Sequence, residues 1–182
     1  MTVFRVSHAT EFLASINAAG FTPPPDAPAY NSYDSVLDRV LVLDDKEFEF
    51  LVKDLLSAIE FKETEVTGGF GDGGVDAKGI LNLHNIAKME IFVQAKRYKK
   101  ERIISAATVR QFRESIETRA QGVFVTTAKF RRGAHDIANK PCFPIIGLVN
   151  GKQLVDLLVE HWDDIPEEFQ DKLALRRGLV PV

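Results

Sequence analysis

Apolar residues recur at helical spacing through Phe48, Leu51, Val52, Leu55, Leu56 and Ile59. This period predicts an amphipathic helix, opened by Asp44 or Asp45, whose carboxylate can accept from a free backbone N–H. The period then changes. Residues 62–67 alternate, residues 75–83 follow a glycine-rich stretch, and residues 88–95 end in the apolar run Ile91-Phe92-Val93. All three segments read as strands. Beyond them the pattern predicts a helix over 105–119, a β-branched buried strand over 122–127, a helix over 130–139 and a strand over 144–149. A helix over 151–162 turns Leu154, Leu157 and Leu158 inward, and Pro166 opens a last helix ending near Gly178.

Residues 1–43 carry weaker patterns. Residues 8–19 suit a short amphipathic helix with Phe12, Leu13 and Ile16 on one face. Residues 21–28 hold four prolines, which fix φ and remove donors, so they read as an extended arm or linker. Residues 36–43 are apolar at several positions and suit a strand or a helical turn.

Helix, three strands, then strands alternating with helices predict an α/β fold with a mixed central sheet flanked by helices. The first three strands are close enough for antiparallel hairpins, and the later ones need parallel crossovers. Three segments follow: an N-terminal arm with its proline-rich linker over 1–43, a central domain over 44–162 and a C-terminal helical extension over 163–182.

Composition narrows the class. The 182 residues hold one cysteine, Cys142, which excludes an internal disulfide and suits a reducing cytoplasm. Four scattered histidines offer no structural zinc spacing. No stretch approaches a membrane span and the N-terminus lacks a signal-peptide pattern, so a cytoplasmic protein is expected. The net charge of −3 conceals an asymmetry. Residues 1–95 carry 7 basic and 15 acidic side chains, residues 96–133 carry 11 and 3, and residues 134–182 carry 5 and 8. A block of net +8 suits a polyanion, although helix surfaces also carry such charges.

That block starts at the chemistry. Gln94 and Lys96 share one strand face, because side chains alternate. Asp76 closes the glycine-rich turn 68–74, 18 residues before Gln94. This turn does not open a helix, which argues against a dinucleotide fingerprint, and no Gly-Lys-Ser/Thr follows, which argues against a P-loop. It is a flexible hairpin turn, or a turn that lets a DNA backbone approach while Asp76 meets a metal. An acid, a second oxygen donor and a nearby lysine are what metal-assisted phosphodiester hydrolysis needs. Edge protection is the plainer reading of two polar side chains at a strand end.

The segments Phe48-Glu49, Gly71-Asp72-Gly73-Gly74-Val75-Asp76, Val93-Gln94-Ala95-Lys96-Arg97-Tyr98, Val123-Phe124-Val125-Thr126-Thr127 and Leu148-Val149-Asn150-Gly151-Lys152-Gln153-Leu154 resemble the catalytic domain of Mrr-type restriction endonucleases. These belong to the PD-(D/E)xK nuclease superfamily, and the resemblance covers about residues 46–160. It implies a restriction-endonuclease-like core and hydrolysis of DNA with Mg2+, for which Mn2+ can substitute. Asp76, Gln94 and the Ala95 carbonyl would then ligate the metal, and Lys96 would position the attacking water. Glu49 matches the family's helical glutamate, with a solvent-facing helix residue as the alternative, and Glu47 is a weaker candidate.

Arg97, Lys99, Lys100, Arg102, Arg131 and Arg132 are the expected DNA-binding residues, with Arg110, Gln111 and Arg113 on a nearby helix. Lys78 and Asp72 flank the loop, with Asp72 shaping the turn. Tyr98 and Phe70 are candidates to stack on a base, with core or surface packing as the more usual role. The expected role is restriction of foreign or modified DNA, and the expected partners are DNA and either a second copy or a separate recognition subunit. A repair nuclease and a non-catalytic DNA-binding subunit are the rival readings.

Overall fold

Asp44 opens a helix through a reciprocal capping box. Its Oδ1 accepts from the Glu47 N–H at 2.7 Å, and Glu47 Oε2 accepts from the Asp44 N–H at 2.8 Å. Such a cap stabilises a helix by about 1 kcal/mol and fixes where it starts. In this computed structural model the described residues are 33–59, 61–66, 75–83, 87–117, 120–141, 144–176 and 180–181. The expected helix over 8–19, the proline arm, the glycine turn with Phe70 and Asp72, Cys142 and Gly178 lie outside them.

The helices are α1 (Tyr33–Val40), α2 (Asp45–Ala58), α3 (Ala106–Glu114), α4 (Arg132–Ala138), α5 (Gly151–Glu160) and α6 (Glu167–Leu173), with a 3-10 turn at Trp162–Asp164. Among the strands, β1 (Phe61–Val66), β2 (Ala77–Leu83), β3 (Ala87–Lys96), β5 (Gln121–Thr126) and β7 (Ile146–Val149) form one sheet in the order β1-β2-β3-β5-β7. The first two pairings are antiparallel and the last two parallel, as the element order predicts. Two short ladders accompany it: parallel β4 (Ile103–Ile104) with β6 (Lys129–Phe130), and antiparallel β8 (Leu175–Arg176) with β9 (Val180–Pro181). No helix among the described residues is long and apolar enough to cross a membrane.

Strand alternation builds two cores. Ile91, Val93, Ala95 and Val125 face α1, α2, α5 and α6, where Phe48, Leu51, Leu154 and Leu158 are fully enclosed. Phe92 and Phe124 face α3 and α4, and Phe124 meets Phe112 and Phe130 edge-on at 5.7 and 5.6 Å. Each such side chain contributes roughly 1.5–3 kcal/mol by leaving water.

Several boundaries differ from expectation. Of the two readings of residues 36–43, the helical one holds over 36–40, where α1 turns Val36, Leu37 and Val40 into the first core. Packing therefore does not break at residue 43. At the other end Ile165, Phe169, Leu173 and Leu175 join the same core. The helix expected over 105–119 ends at Glu114, where Ser115 caps it. Phe130 leaves the expected helix for β6 because Ile104 pairs with it, a contact invisible to local periodicity. The last helix stops at Leu173. Ala174 takes a left-handed conformation at φ 49°, and Pro166 is the cap rather than the first helical residue.

Candidate active site at the ends of the central strands

Asp76 lies just before β2, and its N–H donates to the Val93 carbonyl at 2.9 Å. This bond sets the carboxylate against the last residues of β3. Asp76 Oδ2 accepts from the Ala95 N–H at 2.8 Å, and Lys96 Nζ reaches Oδ2 and Oδ1 at 3.0 and 3.2 Å. Asp76 is 8% exposed and Gln94 7%, so both are polar side chains held inside the fold. Gln94 and Lys96 share the face that Phe92 begins, as alternation predicts.

Glu49 comes from α2 and joins the same cluster. Burial first, and the charge of Asp76 second, push its carboxyl above the usual glutamate range, while Lys96 pulls the other way. The structure thus brings Asp76, Lys96 and Glu49 together. Glu47 does not join them, because its carboxylate closes the α2 cap and meets Lys172 at 3.1 Å. Lys78 lies over the Phe92 ring, its Nζ 4.4 Å from the centroid.

A raised acid pKa has a definite sign in stability. The folded state binds the proton more tightly than the unfolded chain, so stability falls as pH rises from the ordinary glutamate range through the raised value. Glu49→Gln removes that loss. In EDTA its Tm is expected above that of the unmodified protein near neutral pH, with the difference shrinking on acidification. Equal Tm values across the range would remove Glu49 from the carboxylate cluster.

Two threonines that sequence pattern alone gives no role, Thr126 and Thr127, fix the end of β3. Thr126 Oγ1 donates to the Lys96 carbonyl at 2.6 Å and accepts from the Ala128 N–H at 3.2 Å. Thr127 Oγ1 donates to the Tyr98 carbonyl and accepts from the Tyr98 N–H at 2.8 Å. Both are almost fully buried. Their signal was two hydroxyls closing an apolar strand, since buried hydroxyls need partners. Thr127→Val removes both bonds at nearly constant volume and leaves two peptide groups unpaired, costing about 1–3 kcal/mol. Thr127→Ser, which keeps the hydroxyl, should hold the Tm close to that of the unmodified protein. A serine variant as impaired as the valine one would mean that the hydroxyl bonds alone do not hold the strand end.

The basic run divides. Arg97 is held by Asp45, Nη2 to Oδ1 at 2.9 Å, and donates from Nη1 to the Leu41 carbonyl at 3.2 Å. Lys100 meets Asp38 at 2.9 Å and Asp34 at 3.8 Å, and the Asp38 hydrogen bond raises its pKa. These two expected phosphate contacts are therefore matched by carboxylates of α1 and the start of α2. Arg102 stacks on Tyr98, 4.1 Å from ring centroid to guanidinium carbon. Lys99, Arg131 and Arg132 are exposed, as are Arg110 and Gln111 on α3. Arg113 is buried and donates to the Ala138 carbonyl at 2.9 Å, which ties α3 to α4 and takes it out of the expected DNA surface.

Among the described residues no three or more histidine, cysteine, aspartate and glutamate side chains form a metal cage. The candidate donors are two carboxylates, one amide and one peptide carbonyl. An all-oxygen set fits a hard cation such as Mg2+ or Mn2+.

Comparison with known proteins bears on the family and the fold. A family model described as restriction endonuclease, of the Mrr catalytic type, matches residues 40–158. A type IV methyl-directed restriction enzyme, EcoKMrr of Escherichia coli strain K12, is 30% identical over 134 residues, 70% of this chain and 42% of that protein. The MspJI restriction endonuclease, solved with a 27-mer oligonucleotide, matches with a TM-score of 0.63 at 17% identity, over 100% of this chain and 41% of its own. The DNA modification-dependent restriction endonuclease AspBHI matches with a TM-score of 0.64 at 20% identity, over 95% of this chain and 49% of its own. This chain spans under half the length of each.

Proposed function

The chain belongs to the Mrr catalytic-domain family of restriction endonucleases, and on that footing we propose that it is a Mg2+-dependent DNA endonuclease serving restriction of foreign or modified DNA. The observation that carries the reading is the contact of Lys96 with both oxygens of buried Asp76, beside Gln94 and Glu49.

Asp76, Gln94 and the Ala95 carbonyl would hold the cation, and Glu49 would hold it through water or serve a second ion. Bound there, Mg2+ supplies an acidified water and charge neutralisation at the phosphate. Lys96 orients the attacking water and places positive charge beside the phosphoryl oxygens as charge grows on them. Gln94, an amide, contributes oxygen without another negative charge, which limits repulsion toward the phosphate. The Ala95 N–H holds Asp76 Oδ2 in place, and the Thr126 and Thr127 bonds hold the strand end that bears Lys96. Lys99, Arg102, Arg131 and Arg132 offer charge to the DNA backbone.

One centre cuts one strand, so cleavage of both strands takes two copies of this chain or two binding events. A separate recognition subunit is the other expected partner. Modification dependence draws support from the methyl-directed and modification-dependent enzymes above.

The test is supercoiled plasmid, methylated and unmethylated, incubated with the protein and Mg2+. Nicked or linear product from the methylated plasmid alone is the expected result. Cutting of both plasmids alike would retain the nuclease and remove the modification requirement. Binding without cutting in Mg2+ or Mn2+ would overturn the nuclease reading.

A further inference from the structure

We infer that the β4–β6 ribbon is a duplex-DNA contact, in which Ile103 lies against a groove wall and Lys129 and Arg102 engage flanking phosphates. The inference rests on the nuclease reading and names an element that it leaves unassigned.

The ribbon continues the active-site strands. Lys96 pairs with Thr126 in the main sheet, and the Tyr98 backbone is fastened to Thr127. The ladder then resumes, as the Lys129 N–H donates to the Arg102 carbonyl at 3.1 Å and the Arg131 N–H to the Ile104 carbonyl at 3.0 Å. Ile103 pairs with Lys129 and Ile104 with Phe130. One face is anchored inward, with Ile104 2% exposed and Phe130 packed against the second core. The other face points out, with Ile103 53% exposed beside exposed Lys129.

An exposed isoleucine is ordinary alone. Its setting is not. Residues 98–104 and 129–132 hold Lys99, Arg102, Lys129, Arg131 and Arg132 with one acid of their own, Glu101, while Lys100 is matched by Asp38 and Asp34. Stacking on Tyr98 keeps the Arg102 guanidinium at the ribbon's edge. An aliphatic side chain beside exposed cations matches a surface with anionic rims and an apolar strip between them. A DNA groove is such a surface, with phosphates on its rims and sugars and base edges within. Protein partners bury far larger apolar areas than one side chain offers.

The two contacts leave different marks. Lys129→Ala should weaken binding and lower the slope of log affinity against log salt by about one. Ile103→Ser should weaken binding by about tenfold with an unchanged salt slope, because the lost contact carries no charge. Binding is measured on fluorescent duplex with Ca2+ in place of Mg2+, from 50 to 200 mM salt, on the full chain. Lys140→Ala, an exposed lysine past the C-terminal end of α4 and outside the expected DNA-binding set, is the reference for a surface charge. Ile103 and Lys129 are exposed, so an unchanged Tm for each variant is required for the expected result to count in favour.

If the unmodified protein binds and cuts DNA but Ile103→Ser and Lys129→Ala bind like it, the ribbon inference falls and the nuclease reading stands. If the unmodified protein neither binds nor cuts, both fall. An Ile103→Ser loss accompanied by a lower Tm also overturns the groove contact, and assigns the residue to packing.

Discussion

Lys96→Ala is expected to abolish DNA cleavage, with a rate loss of about a thousandfold or more, and to leave DNA affinity within a few-fold. The magnitude follows from removing one preorganised charge at the developing phosphate, worth about 10²–10³ by itself, together with the group that orients the water. The split between rate and affinity follows from geometry. Lys96 Nζ is half-buried and engaged with Asp76, whereas Lys99, Arg102, Arg131 and Arg132 stand exposed to meet the backbone. The mutation also leaves Asp76 facing Glu49 without the ammonium that tempers their repulsion. A lower Tm in EDTA is therefore expected, recovered in part by Mg2+. Single-turnover cleavage and anisotropy on the same duplex separate these effects. Cleavage at more than a tenth of the original rate would remove Lys96 from the chemistry.

Gly151→Ala is the substitution with the largest expected cost to the fold for one added methyl group. A Cβ there would stand 2.4 Å from the Thr127 carbonyl oxygen and 3.0 Å from Leu37 Cδ2. The oxygen is backbone and cannot swing aside. The N-terminus of α5 must therefore move away from the strand end, although the Gly151 N–H is bonded to the Ala128 carbonyl at 3.1 Å. Overpacking of this kind costs about 1–3 kcal/mol, a Tm lower by roughly 3–10 °C for a domain of this size. Thr127 also fastens Tyr98, so cleavage should fall with stability. Gly133→Ala is the contrast. The nearest atom is Ala106 Cβ at 3.7 Å, an ordinary contact, and alanine in a helix gains up to about 1 kcal/mol over glycine. Matched Tm values for the two alanine variants would refute the close approach at Gly151.

The sequence made the chemistry more legible than the wiring around it. Period-2 alternation was enough to put Gln94 and Lys96 on one face, and the structure places Asp76 and Glu49 beside Lys96. Strand direction followed from connection lengths. What local pattern did not carry were bonds between distant segments. Phe130 looks helical until Ile104, 26 residues earlier, pairs with it. Arg97 and Lys100 look free for phosphate until Asp45, Asp38 and Asp34 are folded against them. Arg113 looks like a surface cation until Ala138 brings a carbonyl to it. Residues 36–43 were ambiguous because six of the eight are apolar, too dense a pattern to separate a strand from a helical turn.

The position of α1 bears on how this nuclease can be cut out and fused. A fragment trimmed at residue 44, where the sequence pattern sharpens, would drop Val36, Leu37 and Val40 from the first core and take away the partners of Lys100. The product would be both less stable and stickier toward any polyanion, two faults easily mistaken for poor expression and lax specificity. A transplantable cassette therefore begins ahead of Tyr33, and carries its own counter-ions with it.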